Sequence, residues 1–138
     1  MEEIFVAGQR TLSALLPACP EVRHVIHRDL LNRNVLVAPD ASRLEAVFDW
    51  GCSTAGDYLY ELAWLTFWAP WYPALDAVDL RGMFRTHYQS TSHEVMNFDE
   101  RLACYELQIG LEHIAYAAFT ARAEDLRAVA RRTLGILE

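Results

Sequence analysis

Two short strand-like runs constrain this chain more than any other feature. "NVLVA" (34–38) and "RLEAVFDW" (43–50) are rich in β-branched and apolar residues, and "PDAS" (39–42) joins them with a turn signal. Together they read as a β-hairpin. Asn34 opens the first strand and Asp49 closes the second, so pairing the strands brings these two residues together at one end. Just upstream, "HRDLLNRN" (27–34) puts Asp29 in a loop that faces the same space. Polar side chains gathered at the end of a rigid hairpin are placed as functional loops usually are.

The rest of the chain reads as helical. Residues 2–16 carry Ile4, Phe5, Ala7, Leu12, Leu15 and Leu16 at helical spacing, and Pro17 and Pro20 close the segment. "HVIH" (24–27) is a short extended run. Past Gly51 and Gly56 the pattern predicts one helix over 57–69 and another over about 73–89, with Pro73 near its first turn. A long helix over about 98–119, capped by Asn97 or Asp99, and a last one over about 123–137 follow. The expected fold class is α+β and mainly helical. It is a single domain over 1–138, with the loop and hairpin over 24–50 and a helical subdomain over 57–138.

Composition narrows the function. A hydrophobic fraction of 53% with 22% charged residues is that of a globular domain. The net charge of -7 argues against a partner made of nucleic acid or anionic membrane. Cys19, Cys52 and Cys104 are odd in number and widely spaced, which predicts reduced thiols in a cytoplasmic protein. His24, His87 and His93 show no metal-ligand spacing. The N-terminus lacks the basic and apolar regions of a signal peptide, and Pro70 and Pro73 break the longest apolar stretch, so no membrane span is expected.

Phosphoryl transfer from ATP needs what residues 27–50 contain. A carboxylate orients the acceptor hydroxyl, and hard oxygen ligands hold magnesium on the phosphates. H-x-D-x-x-x-x-N, then an apolar strand and a second Asp, is the catalytic-loop and metal-loop pair of kinases. The strand–turn–strand context supports that reading.

"HVIHRDLLNRNVLV" and "AVFDWGCSTAGDYLYELAWL" resemble the C-terminal lobe of the aminoglycoside phosphotransferase family, which shares the protein-kinase-like fold. "FWAPW" (67–71) and "RLACYELQIGLEHI" (101–114) are similar to its hygromycin B phosphotransferase branch. The resemblance implies that Asp29 is the catalytic carboxylate, that Asn34 and Asp49 are Mg²⁺ ligands at the ATP (or GTP) site, and that His27 and Asp57 support the loop. It implies a cationic aminoglycoside acceptor, with Glu106, Glu112 and Trp71 as candidate contacts. Homoserine, choline or a macrolide are alternative acceptors used by relatives. The cluster Trp64, Phe67, Trp68, Trp71 and Tyr72 reads mainly as core.

Two departures bear on the acceptor. Residue 28 is Arg, where antibiotic kinases usually carry Gly or another small or polar residue, and residues 31–33 lack the usual Pro. Neither a glycine-rich phosphate loop nor a strand Lys precedes Asp29. The expectation is therefore a catalytic C-lobe whose N-terminal nucleotide lobe is absent. The alternative is a folded, self-associating remnant that catalyses nothing.

Overall fold

The structure is a computed structural model that describes residues 2–31, 33–91 and 95–138. Asn32 of the 31–33 segment and His93 lie outside the described residues. Helix α1 (Glu2–Leu15) leads through a 3₁₀ turn to strand β1 (His24–Ile26). Strands β2 (Val35–Val37) and β3 (Leu44–Val47) form the antiparallel hairpin, with Val35 opposite Val47. The "PDAS" turn closes through Ala41 N–H donating to Ala38 O at 2.8 Å.

A fourth strand, β4 (Thr54–Gly56), pairs antiparallel with β1, in a stretch just before the expected helix to which the sequence pattern assigns no element. Ala and Gly have low strand propensity, so local sequence hides it. Its pairing explains the glycine. A Cβ on Gly56 would lie 2.9 Å from Ile26 Cδ1, inside contact distance.

Helices α2 (Leu59–Trp68), α3 (Pro73–Asp76), α4 (Leu80–Ser90), α5 (Phe98–Phe119) and α6 (Ala123–Leu137) complete the described chain. The single helix expected over 73–89 is a one-turn α3 and a separate α4. Asp79 starts α4 afresh, its Oδ1 accepting from Gly82 N–H at 2.9 Å; an N-cap of this kind satisfies one of the four donors that a helix start leaves open. Asn97 precedes α5, as expected, but makes no cap. It has φ 52°, and its side chain donates to Ala18 O at 3.2 Å, tying the 3₁₀ turn after α1 to the start of α5.

The core lies between α2 and α5, with α1 and α6 packed on α5. Leu59, Ala63 and Phe67 of α2 meet Leu102, Tyr105 and Ile109 of α5, all buried. Gly110 lets α5 sit close to two neighbours at once. A Cβ there would be 2.3 Å from Thr133 Oγ1 on α6 and 3.2 Å from Phe67 Cε2 on α2. Arg132 of α6 donates to Thr66 O and Phe67 O at 3.1 and 3.2 Å. It thus serves carbonyls that the C-terminus of α2 leaves without partners. The "RAVARR" segment (127–132) buries Val129 and Ala130 and uses Arg132 in this way. No helix among the described residues is long and apolar enough to cross a membrane.

Candidate active site

The loop carrying Asp29 runs between two rigid supports. On the hairpin side, Phe48 N–H donates to Asn34 O at 3.0 Å, so Asn34 and Asp49 stand at the same end of the β2–β3 pair. His27 is buried and bridges from loop to hairpin. Its Nε2 lies 2.9 Å from Phe48 O, and its Nδ1 accepts from Asp29 N–H at 3.2 Å. That acceptance fixes the tautomer, with the proton on Nε2. The Trp50 ring packs 4.8 Å from the His27 ring, and its Nε1 donates to Val47 O.

On the helix side the support is Glu61, a residue to which the sequence reading gave no role. Its Oε1 accepts from the backbone N–H of His27 and from that of Arg28, the latter at 3.1 Å. It sits in α2, within the "GDYLYELA" segment already singled out, so the signal was an acidic side chain one helical turn beyond Asp57. Arg28 has φ 68° and Asp49 has φ 59°, both in the left-handed region. Non-glycine residues there cost about 1–2 kcal/mol each and persist where surrounding bonds impose the shape. At Arg28, Glu61 supplies one of those bonds.

Asp57 organises the junction of β4 and α2. Its carboxylate is buried and accepts from Arg101 Nε at 2.9 Å, from Arg101 Nη2 at 2.7 and 2.8 Å, from Tyr105 Oη at 2.7 Å and from Leu59 N–H at 3.2 Å. Burial would pull the Arg101 guanidinium down, but the Asp57 hydrogen bond and charge hold it above its ordinary value. Burial, reinforced by Asp57, pushes the Tyr105 phenol up, so it stays a donor. Tyr58 stacks on Tyr88 with ring centroids 5.4 Å apart.

A cavity of about 690 Å³ opens beside Asp29. Its lining includes Arg28, Asp29, Leu31 and Cys52, and Trp64, Trp68, Trp71 and Tyr72 from α2 and the turn after it. His113, Tyr116 and Ala117 of α5, with Arg122, Asp125 and Val129 at α6, complete it. The aromatic cluster therefore divides. Phe67 is pure core, while four neighbours, Trp71 among them, face the cavity.

The two helix carboxylates separate as well. Glu106, expected as a candidate substrate contact, is 1% exposed and lies away from the cavity wall. Its oxygens accept from Thr66 Oγ1 at 2.5 Å and from Arg81 Nη2 at 2.8 and 2.9 Å. A buried carboxylate needs such partners, and they hold it inside the helix packing. Glu112 is exposed and, like Glu106, is not among the residues that line the cavity; its Oε2 pairs with the lining residue Arg28 through Nη2 at 2.9 Å.

Asp29 belongs to both sides of this arrangement. It lines the cavity, and its Oδ2 accepts from Asn34 Nδ2 at 3.1 Å, while its backbone O accepts from the same nitrogen at 2.8 Å. Asn34 nitrogen is thereby committed, leaving its amide oxygen as the donor toward a cation. With the carboxylate of Asp49, the set is made of hard oxygens, which suits Mg²⁺. No cluster of three or more His, Cys, Asp or Glu able to hold a metal occurs among the described residues. As two protein oxygen ligands, Asn34 and Asp49 would fit an ion that takes its remaining ligands from phosphates and water rather than from an all-protein cage.

Known proteins resemble this chain in sequence and in fold. A family model described as the phosphotransferase enzyme family matches residues 2–98. Hygromycin-B 4-O-kinase of Escherichia coli is 35% identical over 107 residues, which cover 78% of this chain and 29% of that protein. A thermostable mutant of aminoglycoside phosphotransferase APH(4)-Ia, in ternary complex with AMP-PNP and hygromycin B, superposes with a TM-score of 0.80 at 28% identity, covering 99% of this chain and 43% of that one. APH(4)-Ia itself matches with a TM-score of 0.80 at 29% identity and the same coverage. The chain thus spans less than half the length of these relatives and corresponds to the C-terminal part of their kinase-like fold. It belongs to the phosphotransferase enzyme family.

Proposed function

We propose that this chain is the catalytic C-lobe of an ATP-dependent O-phosphotransferase acting on a small hydroxylated acceptor of the aminoglycoside type, such as hygromycin B. The observation that carries the reading is the shared position of Asp29, which faces the cavity and is hydrogen-bonded by Asn34 at the hairpin end. The acceptor occupies the cavity, its ring faces against Trp64, Trp68 and Trp71. Asp29 accepts a hydrogen bond from the reacting hydroxyl, orients it and takes its proton as the new oxygen–phosphorus bond forms and the γ-phosphorus bond to the bridging oxygen breaks, releasing ADP. Asn34 and Asp49 would hold Mg²⁺, which when bound neutralises charge on the nucleotide phosphates. His27 and Glu61 keep the loop in the shape this requires.

A specific observation favours a second element of the reading. Val25, Leu36, Leu44, Phe48 and Trp50, on or next to the two small sheets, are 75%, 50%, 64%, 46% and 48% exposed. Large apolar side chains left exposed along both small sheets suit an interaction face, and a nucleotide-binding lobe is the partner the proposed chemistry needs. The test incubates the chain with Mg·ATP and hygromycin B, alone and with the N-terminal part of hygromycin-B 4-O-kinase added, and follows phosphate on the acceptor by mass spectrometry. Phosphorylated acceptor that disappears with Asp29→Asn supports the reading. No product in either arm, or full activity with Asp29→Asn, rejects it.

A further inference from the structure

We propose that Arg28 is a specificity-determining residue that disfavours acceptors bearing many ammonium groups. The inference rests on the reading of the cavity as the acceptor site. Arg28 occupies the loop position immediately before Asp29, and both residues line the cavity. It is anchored on two sides, by Glu112 Oε2 at 2.9 Å and by Tyr60, whose oxygen is 3.5 Å away and whose ring centroid is 5.3 Å away.

The placement has two electrostatic effects. It sets a fixed positive charge at the wall where the acceptor hydroxyl must approach Asp29. It also takes up Glu112, an exposed carboxylate next to the lining residue His113 that would otherwise attract a ligand ammonium. Arg122 and Asp125 also line the cavity, with Arg122 Nη1 3.9 Å from Asp125 Oδ2. The wall therefore carries as many cationic as anionic side chains and offers no acid-lined bed for a polycation.

Backbone geometry strengthens the case. Arg28 sits at φ 68°, where glycine is unstrained and arginine is not. Its ion pair is half-exposed, with side-chain exposures of 30% and 44%. Pairs in such settings contribute little to stability. An arginine held in a strained position for little structural gain is accounted for by what its side chain does in the cavity.

The test uses the quenching of tryptophan fluorescence, since Trp64, Trp68 and Trp71 line the same cavity. Hygromycin B and the polycationic aminoglycoside neomycin are titrated into the chain and its Arg28→Gly, Glu112→Gln and double variants. Glycine suits the backbone at this position, so Arg28→Gly is expected to fold. The expected result is a gain of about tenfold in neomycin affinity relative to hygromycin B in Arg28→Gly, the scale of one freed charge-assisted hydrogen bond. That gain should vanish in the double variant and in high salt, while Glu112→Gln alone changes little. Binding with the same ratio of affinities in all four proteins overturns the role of Arg28 and leaves the proposed function standing. No binding of either compound to any of them overturns both.

Discussion

The buried Asp57–Arg101 pair gives the sharpest test of what holds the site together. The side chains are 2% and 7% exposed, and the carboxylate receives donors from Arg101, Tyr105 and Leu59. Replacing Arg101 with Met keeps most of the apolar volume but leaves Asp57 charged, buried and short of its counter-ion. Breaking such a pair from one side costs about 3–5 kcal/mol. Unfolding entropy near 60 °C is about 2.1 cal/mol/K per residue. For a chain of 138 residues that scale is about 0.3 kcal/mol per degree, so the loss corresponds to a Tm lower by roughly 10–17 °C. Differential scanning calorimetry measures it directly. The partner variant Asp57→Asn/Arg101→Met removes the stranded charge and should recover most of the loss, to within about 2 kcal/mol of the parent protein. A single variant that melts within about 3 °C of the parent, or a double variant no better than the single, would refute the argument that a stranded charge sets the cost.

Other expectations follow from the same contacts. Glu61→Ala leaves the backbone N–H groups of His27 and Arg28 without their acceptor and should cost about 1–3 kcal/mol in urea denaturation. Glu61→Gln, which keeps the amide oxygen in place, should recover most of that loss. Gly110→Ala drives a methyl into Thr133 and Phe67, and a loss of about 1–3 kcal/mol is expected from overpacking; an unchanged urea midpoint would show that α5 and α6 can separate at little cost. Burial pushes the Cys104 thiol up to about 12 from an ordinary 9.0. The folded state therefore keeps a proton that the unfolded state releases, so this contribution is full below about pH 9 and is lost as pH rises toward 12. Urea midpoints across that range should fall, and Cys104→Ala should flatten the slope. At pH 8 an alkylating reagent should label exposed Cys52 and spare Cys104.

Much of this architecture is legible in the sequence where a periodic signal is strong. The last helix runs over 123–137 as its pattern indicates, and the hairpin pairs through the "PDAS" turn because β-branched runs flank it. Strand β4 was hidden, since Ala55 and Gly56 carry no strand signal and are recruited by pairing with β1. The break between α3 and α4 was missed because Asp79 reads equally well as a residue on a polar helix face or as a cap. Of the site, the positions of Asp29, Asn34 and Asp49 follow from the hairpin. The support from Glu61 does not, because it joins residues far apart in the chain. Nor does the fate of Glu106: an acidic residue on a long helix reads the same whether it meets solvent or, as here, Arg81 and Thr66 inside the packing.

The account turns on Asn34 and Asp49 holding a divalent ion with nucleotide while Asp29 serves the acceptor. The most direct measurement is paramagnetic titration of Mn²⁺, as a probe for Mg²⁺, into the chain with ATP, comparing the parent with Asn34→Ala, Asp49→Ala and Asp29→Asn. The account predicts saturable, ATP-dependent binding that is lost in the first two variants and kept in the third. No ATP-dependent binding by the parent, or equal binding by all four, would contradict it.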